Sequence, residues 1–183
     1  MYQFEDVRIR RFRKEDIPLK IEWINDPANN RYLHYDLPLE YDKTLAWYER
    51  IKDREDRFDA VIEYNGEPVG LCGLLNIDFK NSKAEDYMVV GNTAYKRRGI
   101  ATKAGTLNAL YCFEVLKLNK LYAYIEVGND SLGLDLKRGF NVEGYLRKSI
   151  VRGDSFVDRY VLGMFRNTLV IPDGVRWVEE EDL

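Results

Sequence analysis

The hydrophobic and polar residues of this chain repeat with two periods, one typical of strands and one of helices. Residues 7–12 and 121–127 alternate between apolar and polar side chains, which predicts half-buried strands. After residue 100, apolar residues recur three and four positions apart, which predicts a helix ending near Leu116. The residues of this apolar stripe are Ala101, Ala104, Leu107, Tyr111 and Val115.

The other elements follow from turn residues, capping residues and further apolar runs. Helices are predicted over residues 16–23, 45–51 and 131–138, and strands over 58–64, 69–77, 83–90, 140–151 and 156–165. The central strand, helix, strand unit predicts one parallel pair, while the short turns elsewhere predict antiparallel pairing. The fold class is therefore α+β, with a mixed, mostly antiparallel central sheet of about seven strands and helices on both faces.

Composition and charge exclude several classes of function. The net charge of −3 gives no general attraction to nucleic acid, and no apolar run is long enough to cross a membrane. Two cysteines cannot form a disulfide framework, and no secretory signal opens the chain, so we expect a cytoplasmic protein. His34 is the single histidine, which argues against a multi-histidine metal site and a Ser-His-Asp triad.

The chemistry-bearing segment is Lys96-Arg97-Arg98-Gly99-Ile100-Ala101, which lies between the predicted strand 83–90 and the helix after residue 100. The free N–H groups and positive dipole end of a helix N-terminus attract anions, and small residues let a phosphate reach the backbone. A dinucleotide site would need G-x-G-x-x-G spacing, and a P-loop would need G-K-[ST], and neither is present. Taken alone, the segment is also compatible with an ordinary tight turn.

The surroundings of this turn resemble GNAT-superfamily N-acetyltransferases, in particular the RimJ/RimL branch with its polyamine and amino-sugar acetyltransferases. The family motif has Gln or Arg, two variable residues, Gly, any residue, and Gly or Ala, and here Lys96 occupies its first position. Residues 137–140 resemble the family's Lys-x-Gly-Phe series. The resemblance covers about residues 5–166, so it implies one GNAT-like domain over 1–166 and a tail over 167–183 that is partly apolar, then acidic and frayed.

The resemblance implies acetyl-CoA as co-substrate and no metal. The residues that would bind acetyl-CoA are Met88, Val89, Val90, Lys96, Arg97, Arg98, Gly99, Ile100, Ala101, Thr102, Asn129 and Ser131. In the family, backbone N–H groups of the turn bind the pyrophosphate, and the pantetheine arm follows the preceding strand. Asn129 is equally well explained as a turn residue or helix cap.

Glu85 matches the family position of the base that deprotonates the acceptor amine, and Asp86 points to the opposite face of the strand. Protonation of the leaving thiolate is less clearly assigned, because the family's Tyr position is Asp135. We expect Asp135 to be solvated on a short helix. Tyr145 is then the candidate acid, with Tyr122, Tyr124 and water as alternatives.

The resemblance places Tyr32, His34, Tyr35, Asp36 and Trp47 at the acceptor pocket. It implies direct acetyl transfer to a primary amine in a ternary complex, with a small acceptor such as an amino-sugar nucleotide. A polyamine or a protein N-terminus are the alternative acceptors. A non-catalytic acyl-CoA-binding regulatory module also stays open, as does a homodimer formed through the apolar segment 169–177.

Overall fold

A computed structural model describes residues 1–179 of the chain. The strands are β1 (Tyr2–Gln3), β2 (Val7–Arg11), β3 (Phe58–Tyr64), β4 (Glu67–Asp78), β5 (Lys83–Val90), β6 (Lys120–Glu126), β7 (Asn141–Arg152), β8 (Ser155–Phe165) and β9 (Arg176–Trp177). The helices are α1 (Ile17–Asn25), α2 (Pro27–Asn30), α3 (Tyr41–Ile51), α4 (Ile100–Leu110) and α5 (Ser131–Arg138). A wider helical turn, Tyr111–Val115, extends α4 to the predicted end of that helix.

Seven of these strands form one sheet in the order β2-β3-β4-β5-β6-β8-β7. All neighbours pair antiparallel except β5 and β6, which are parallel and joined through α4. This confirms the predicted mixed, mostly antiparallel sheet with a single parallel pair at its centre.

Helices cover both faces of the sheet, as predicted. On one face α4 buries Leu107 and Leu110 against Leu121 and Phe140. On the other face α1 buries Ile17, Trp23 and Ile24 against Val61 and Leu71. Full burial of a large apolar side chain contributes about 1.5–3 kcal/mol to the free energy of unfolding. The side chains buried in these two layers therefore stabilise the packing of the helices on the sheet.

The parallel pair separates partway along its length. β5 and β6 are in register only from Lys83 opposite Lys120 to Glu85 opposite Tyr122. Beyond that point, residues 86–90 still pair with β4, and among the described residues no strand pairs with their other edge. The result is a V-shaped cleft between β5 and β6, with its apex at Glu85 and one open strand edge along its wall.

The apolar part of the tail packs on its own domain. Leu169 is buried in the core on the α4 face, and Arg176–Trp177 pairs with Tyr2–Gln3. The Leu169 side chain is therefore already covered, whereas Val170 and Trp177 stay exposed, and homodimer formation through this segment stays a prediction. Alternation could not predict β1 and β9, because two-residue strands contain no repeat. The acidic end predicted to fray falls mostly on residues 180–183, which lie outside the described residues.

Candidate active site

The basic turn joins β5 to α4 through two left-handed residues. Arg97 has φ of 64° and Gly99 has φ of 76°, and α4 begins at Ile100. Backbone that alternates into the left-handed region turns successive N–H groups toward one concave side. The first N–H groups of α4 have no carbonyl four residues back, so they point into the same space. This geometry fits a pyrophosphate.

Open space surrounds the turn where such a ligand would lie. A Cβ built on Gly99 would meet no atom within 4 Å. Arg97 and Arg98 are exposed, and Arg98 lies 5.1 Å from the centre of the Tyr95 ring. Lys96 has another role, because its ammonium donates to Asn29 Oδ1 at 2.6 Å and to the Ala28 carbonyl at 3.2 Å. Lys96 therefore ties the turn to α2, and the two arginines supply the free positive charge.

The open edge of β5 fits the amide-bearing arm of acetyl-CoA. Met88, Val89 and Val90 pair with Cys72, Leu71 and Gly70 of β4, respectively. Their other edge faces the cleft, where backbone N–H and C=O groups can pair with the amides of an extended ligand. An arm that enters at the turn and follows this edge ends at the apex, where β5 and β6 close on each other.

Two consecutive carboxylates mark the apex, and strand alternation sends them to opposite faces. Glu85 lies on the face covered by α1 and α3, where its Oε2 accepts from Asn76 Nδ2 at 2.8 Å. Tyr122 lies beside it, and burial together with the charge of Glu85 raises the pKa of Tyr122. Asp86 lies on the α4 face, as predicted. Glu85 is thus placed to meet an amine that approaches from the α1 side.

The loop after α2 closes over the mouth of the cleft. The Tyr32 hydroxyl donates to the Gly128 carbonyl at 2.9 Å, and His34 Nε2 lies 3.1 Å from Glu126 Oε1. Arg152 also donates to Glu126. Burial is the largest cause that lowers the pKa of His34, so the histidine is neutral at pH 7. Tyr32 and His34 therefore lie at the cleft mouth, at the end of β6.

Tyr35 is partly exposed and contacts Lys20 of α1, a residue that the sequence analysis did not single out. Its hydroxyl accepts from the buried Lys20 ammonium at 3.3 Å, and that ammonium lies 4.5 Å from the Trp47 ring centre. Asp59 accepts from the Tyr87 hydroxyl at 2.8 Å on the same layer. A lysine on the apolar side of α1 was the only signal in the sequence. Tyr35 therefore has other partners than Tyr32 and His34.

Three other predicted site residues have different surroundings. Asn129 Oδ1 accepts from the N–H of Ser131, the first residue of α5, at 3.0 Å, and Asp130 between them is the N-cap residue. Tyr145 lies on β7 with 49% of its surface exposed, and its hydroxyl donates to Asp158. β8 and β6 lie between β7 and β5, about 14 Å across three strand spacings. The structure thus does not bring Tyr145 to Glu85.

The expectation that Asp135 is solvated is wrong. Asp135 is 6% exposed, and its carboxylate accepts from the guanidinium of Arg138, which is 1% exposed, at 2.8 Å. Gly105 of α4 makes room for this guanidinium. Burial raises the pKa of Asp135 to about 6. Its partner Arg138 lies three residues further along the same helix, and Gly105 of the facing helix leaves the space that this guanidinium occupies.

In residues 1–179, no three His, Cys, Asp or Glu side chains are grouped to hold a metal ion. Within the same range, every helix is too short or too polar to cross a bilayer.

Comparison with known proteins identifies the family. Residues 6–133 match the model of the acetyltransferase (GNAT) domain. Spermidine N(1)-acetyltransferase of Escherichia coli strain K12 is 29% identical over 166 residues, which cover 89% of this chain and 83% of that protein. An uncharacterized N-acetyltransferase of Bacillus licheniformis is 24% identical over 168 residues, 88% of this chain and 94% of that protein.

A solved structure shows the same fold. The crystal structure of spermidine N-acetyltransferase from Vibrio cholerae in complex with CoA and spermine superimposes with a TM-score of 0.83 at 19% identity. The match covers 89% of this chain and 97% of that one. The matched domain, with its open strand edge and basic turn, leads to one conclusion: this chain belongs to the GNAT family and is an N-acetyltransferase that uses acetyl-CoA.

Proposed function

We propose that the acceptor is a polyamine such as spermidine, which this enzyme acetylates on a primary amine. The observation that carries the proposal is the similarity to spermidine N(1)-acetyltransferase, because it extends over 89% of the chain. The family match over residues 6–133 includes α1, α3 and the loop between them, which cover the face of the sheet on which Glu85 lies. The amino-sugar nucleotide expected from the sequence gains no support from these relatives.

The charge on the acceptor face is consistent with a cationic acceptor. Glu85 on β5 and Glu126 on β6 lie on the same face, with Tyr122 and Tyr124 between them. Glu126 is four residues beyond the partner of Glu85, which is about 13 Å along a strand. Carboxylates and aromatic faces both attract ammonium groups. Since Arg152 and His34 already share the Glu126 carboxylate, the reacting amine meets Glu85 first.

The reaction requires the amine to lose a proton, because an alkylamine has a reference pKa of about 10.4. Glu85 accepts this proton, directly or through one water, which frees the lone pair with which the nitrogen attacks the thioester carbon. The C–S bond then breaks with its electron pair on sulfur, and the CoA thiolate takes up the proton that the nitrogen loses on forming the C–N bond. The N–H groups at the α4 N-terminus and the two exposed arginines hold the pyrophosphate. The edge of β5 orients the arm, so the thioester lies at the apex beside Glu85.

An acceptor panel tests the proposal. Release of the CoA thiol is measured with spermidine, spermine, an amino-sugar nucleotide and a peptide with a free N-terminus, and the products are identified by mass. We expect kcat/KM for spermidine to exceed that for the other two classes by at least about 10-fold. Faster acetylation of the nucleotide or the peptide would overturn the polyamine assignment. Thermal stabilisation by acetyl-CoA without thiol release from any acceptor would instead favour a binding module.

A further inference from the structure

Strand β4 contains one extra residue, Asn76, beside the apex of the cleft. The register between β4 and β5 passes from Leu75 opposite Glu85 to Asp78 opposite Lys83. β4 therefore has two residues, 76 and 77, where β5 has only one. Such an insertion is a β-bulge, and bulges next to active sites redirect side chains.

The bulge determines the direction of the Asn76 side chain. Side chains alternate along a regular strand, and Leu75 shares the face of its partner Glu85, so a strand without the insertion would turn residue 76 toward α4. In the structure it is Ile77 that joins the core on the α4 face, together with the fully buried Ala84. Asn76 is exposed and reaches Glu85 on the opposite face.

The backbone of Asn76 lies in the left-handed region, with φ of 49°. Glycine adopts this region without strain, whereas a residue with a Cβ is disfavoured there. A glycine would therefore build the same bulge with less strain, and the side-chain amide is what asparagine adds. Residues held in such conformations are concentrated at functional sites.

The Asn76 amide contacts two groups at the apex. Its Nδ2 donates to Glu85 Oε2 at 2.8 Å, and among the described residues no group donates to the other carboxylate oxygen, Oε1. Burial raises the pKa of Tyr122, and the Asn76 amide lies close enough to that hydroxyl to oppose the effect. The amide thus holds one oxygen of the carboxylate and leaves the other free for an amine or a water.

We infer that Asn76 is a positioning residue for the base, because it holds Glu85 Oε2 and thereby directs Oε1 toward the amine. A general base must lie within hydrogen-bond reach of the proton it removes, about 2.6–3.2 Å. A glutamate side chain rotates freely about several bonds, and a donor fixed to one oxygen restricts that freedom. Asn76 itself takes no proton. The inference rests on the proposed role of Glu85 as base and not on which amine accepts.

The first test observes the hydrogen bond without turnover. In ¹⁵N-labelled protein, the side-chain NH2 signal of Asn76 is identified by its loss in Asn76→Gly. Glu85→Gln should move this signal, because a neutral acceptor binds an N–H more weakly than a carboxylate does. Glu67→Gln, at the exposed far end of β4, should leave it in place. A signal that does not respond to Glu85→Gln would overturn the inference.

The second test separates the side chain from the backbone. Asn76→Gly keeps the left-handed bulge and removes the amide, so kcat for acetylation of spermidine should fall by about 10-fold. Its Tm should change little, because relief of strain offsets the added freedom of the unfolded chain. The Kd for acetyl-CoA should also be unchanged. Asn76→Asp keeps the size of the side chain but has no N–H donor, so it should lower kcat at least as much, whereas a purely structural role predicts a near-normal rate.

Asn65→Gly is the matched control. Asn65 is also left-handed, with φ of 51°, but it lies in the turn between β3 and β4, so this change should leave kcat unaltered. A normal kcat in Asn76→Gly would contradict the inference. A raised KM for the amine at unchanged kcat would contradict it too, because Asn76 would then bind the acceptor directly.

The outcome for the acceptor is read separately. If the parent protein does not acetylate spermidine, the proposed acceptor fails, and the same variants are compared with the amine of the panel that reacts fastest. Thiol release with none of the amines would leave Glu85 without a role as base and would overturn the inference as well.

Discussion

Replacing Gly105 by alanine tests how tightly α4 encloses the Arg138 guanidinium. A Cβ at this position would lie 2.2 Å from Arg138 Cζ, whereas carbon atoms in contact are normally about 3.5–4.0 Å apart. The guanidinium would have to move by more than about 1 Å. It cannot do so freely, because Nη1 and Nη2 are held by Asp135 and Asp86.

Breaking a buried ion pair costs about 3–5 kcal/mol, and alanine returns about 0.5–1 kcal/mol of helix stability over glycine. The variant should therefore lose about 2–4 kcal/mol of unfolding free energy, and its Tm should fall by roughly 5–15 °C. Urea titration and calorimetry measure both quantities.

Gly133→Ala is the matched control for this change. Gly133 is also helical, in α5, but a Cβ there would meet no atom within 4 Å. The control should be as stable as the parent protein or more stable, by up to about 1 kcal/mol. If Gly105→Ala proves as stable as the control, α4 does not confine the Arg138 guanidinium beside Asp135 and Asp86.

Glu85→Gln should lower kcat by about 10²-fold or more at pH 7, as measured by thiol release, and a near-normal rate would assign the base elsewhere. Gly99→Ala and Gly66→Ala impose the same left-handed strain, at φ of 76° and 84°, which costs about 1–2 kcal/mol in each. In calorimetry only the former should weaken acetyl-CoA binding, by about 10-fold, and equal Kd values would count against the turn. The folded pKa of Asp135, about 6, exceeds the reference value of 3.8, so the folded state binds more protons between these pH values. Unfolding free energy should thus fall as pH rises through this window, and Asp135→Asn should flatten the decline in urea titrations; an unchanged slope would contradict the raised pKa.

Local pattern predicted most of the sheet, because its strands are long enough to show a repeat. The strands 58–64 and 83–90 have the predicted bounds, and the Asn65-Gly66 turn joins β3 to β4. The turn at Gly99 was predicted for the same reason, since strand, glycine and helix are consecutive in the chain. Each of these features depends on neighbours in sequence.

Features that depend on how separate elements pack together were missed. Asp135 on a short charged helix looks solvated, and only the gap at Gly105 and the guanidinium of Arg138 explain its burial. The Lys20–Tyr35–Trp47 cluster likewise joins three separate segments. Two signals were available in the sequence. One is a glycine within the apolar stripe of α4, and the other is the spacing of three residues between Asp135 and Arg138. Neither signal shows that α4 packs against this pair.

The open edge of β5 has a consequence for how this enzyme tolerates sequence change. A ligand arm that pairs with the edge contacts peptide groups, which are the same whatever side chain a residue carries. Met88 and Val90 can therefore be exchanged for other strand-forming residues without loss of those contacts, provided that each still packs against its own layer. Proline is the exception, because it removes an N–H from the edge. Binding of acetyl-CoA at this edge therefore does not depend on which side chains fill the core.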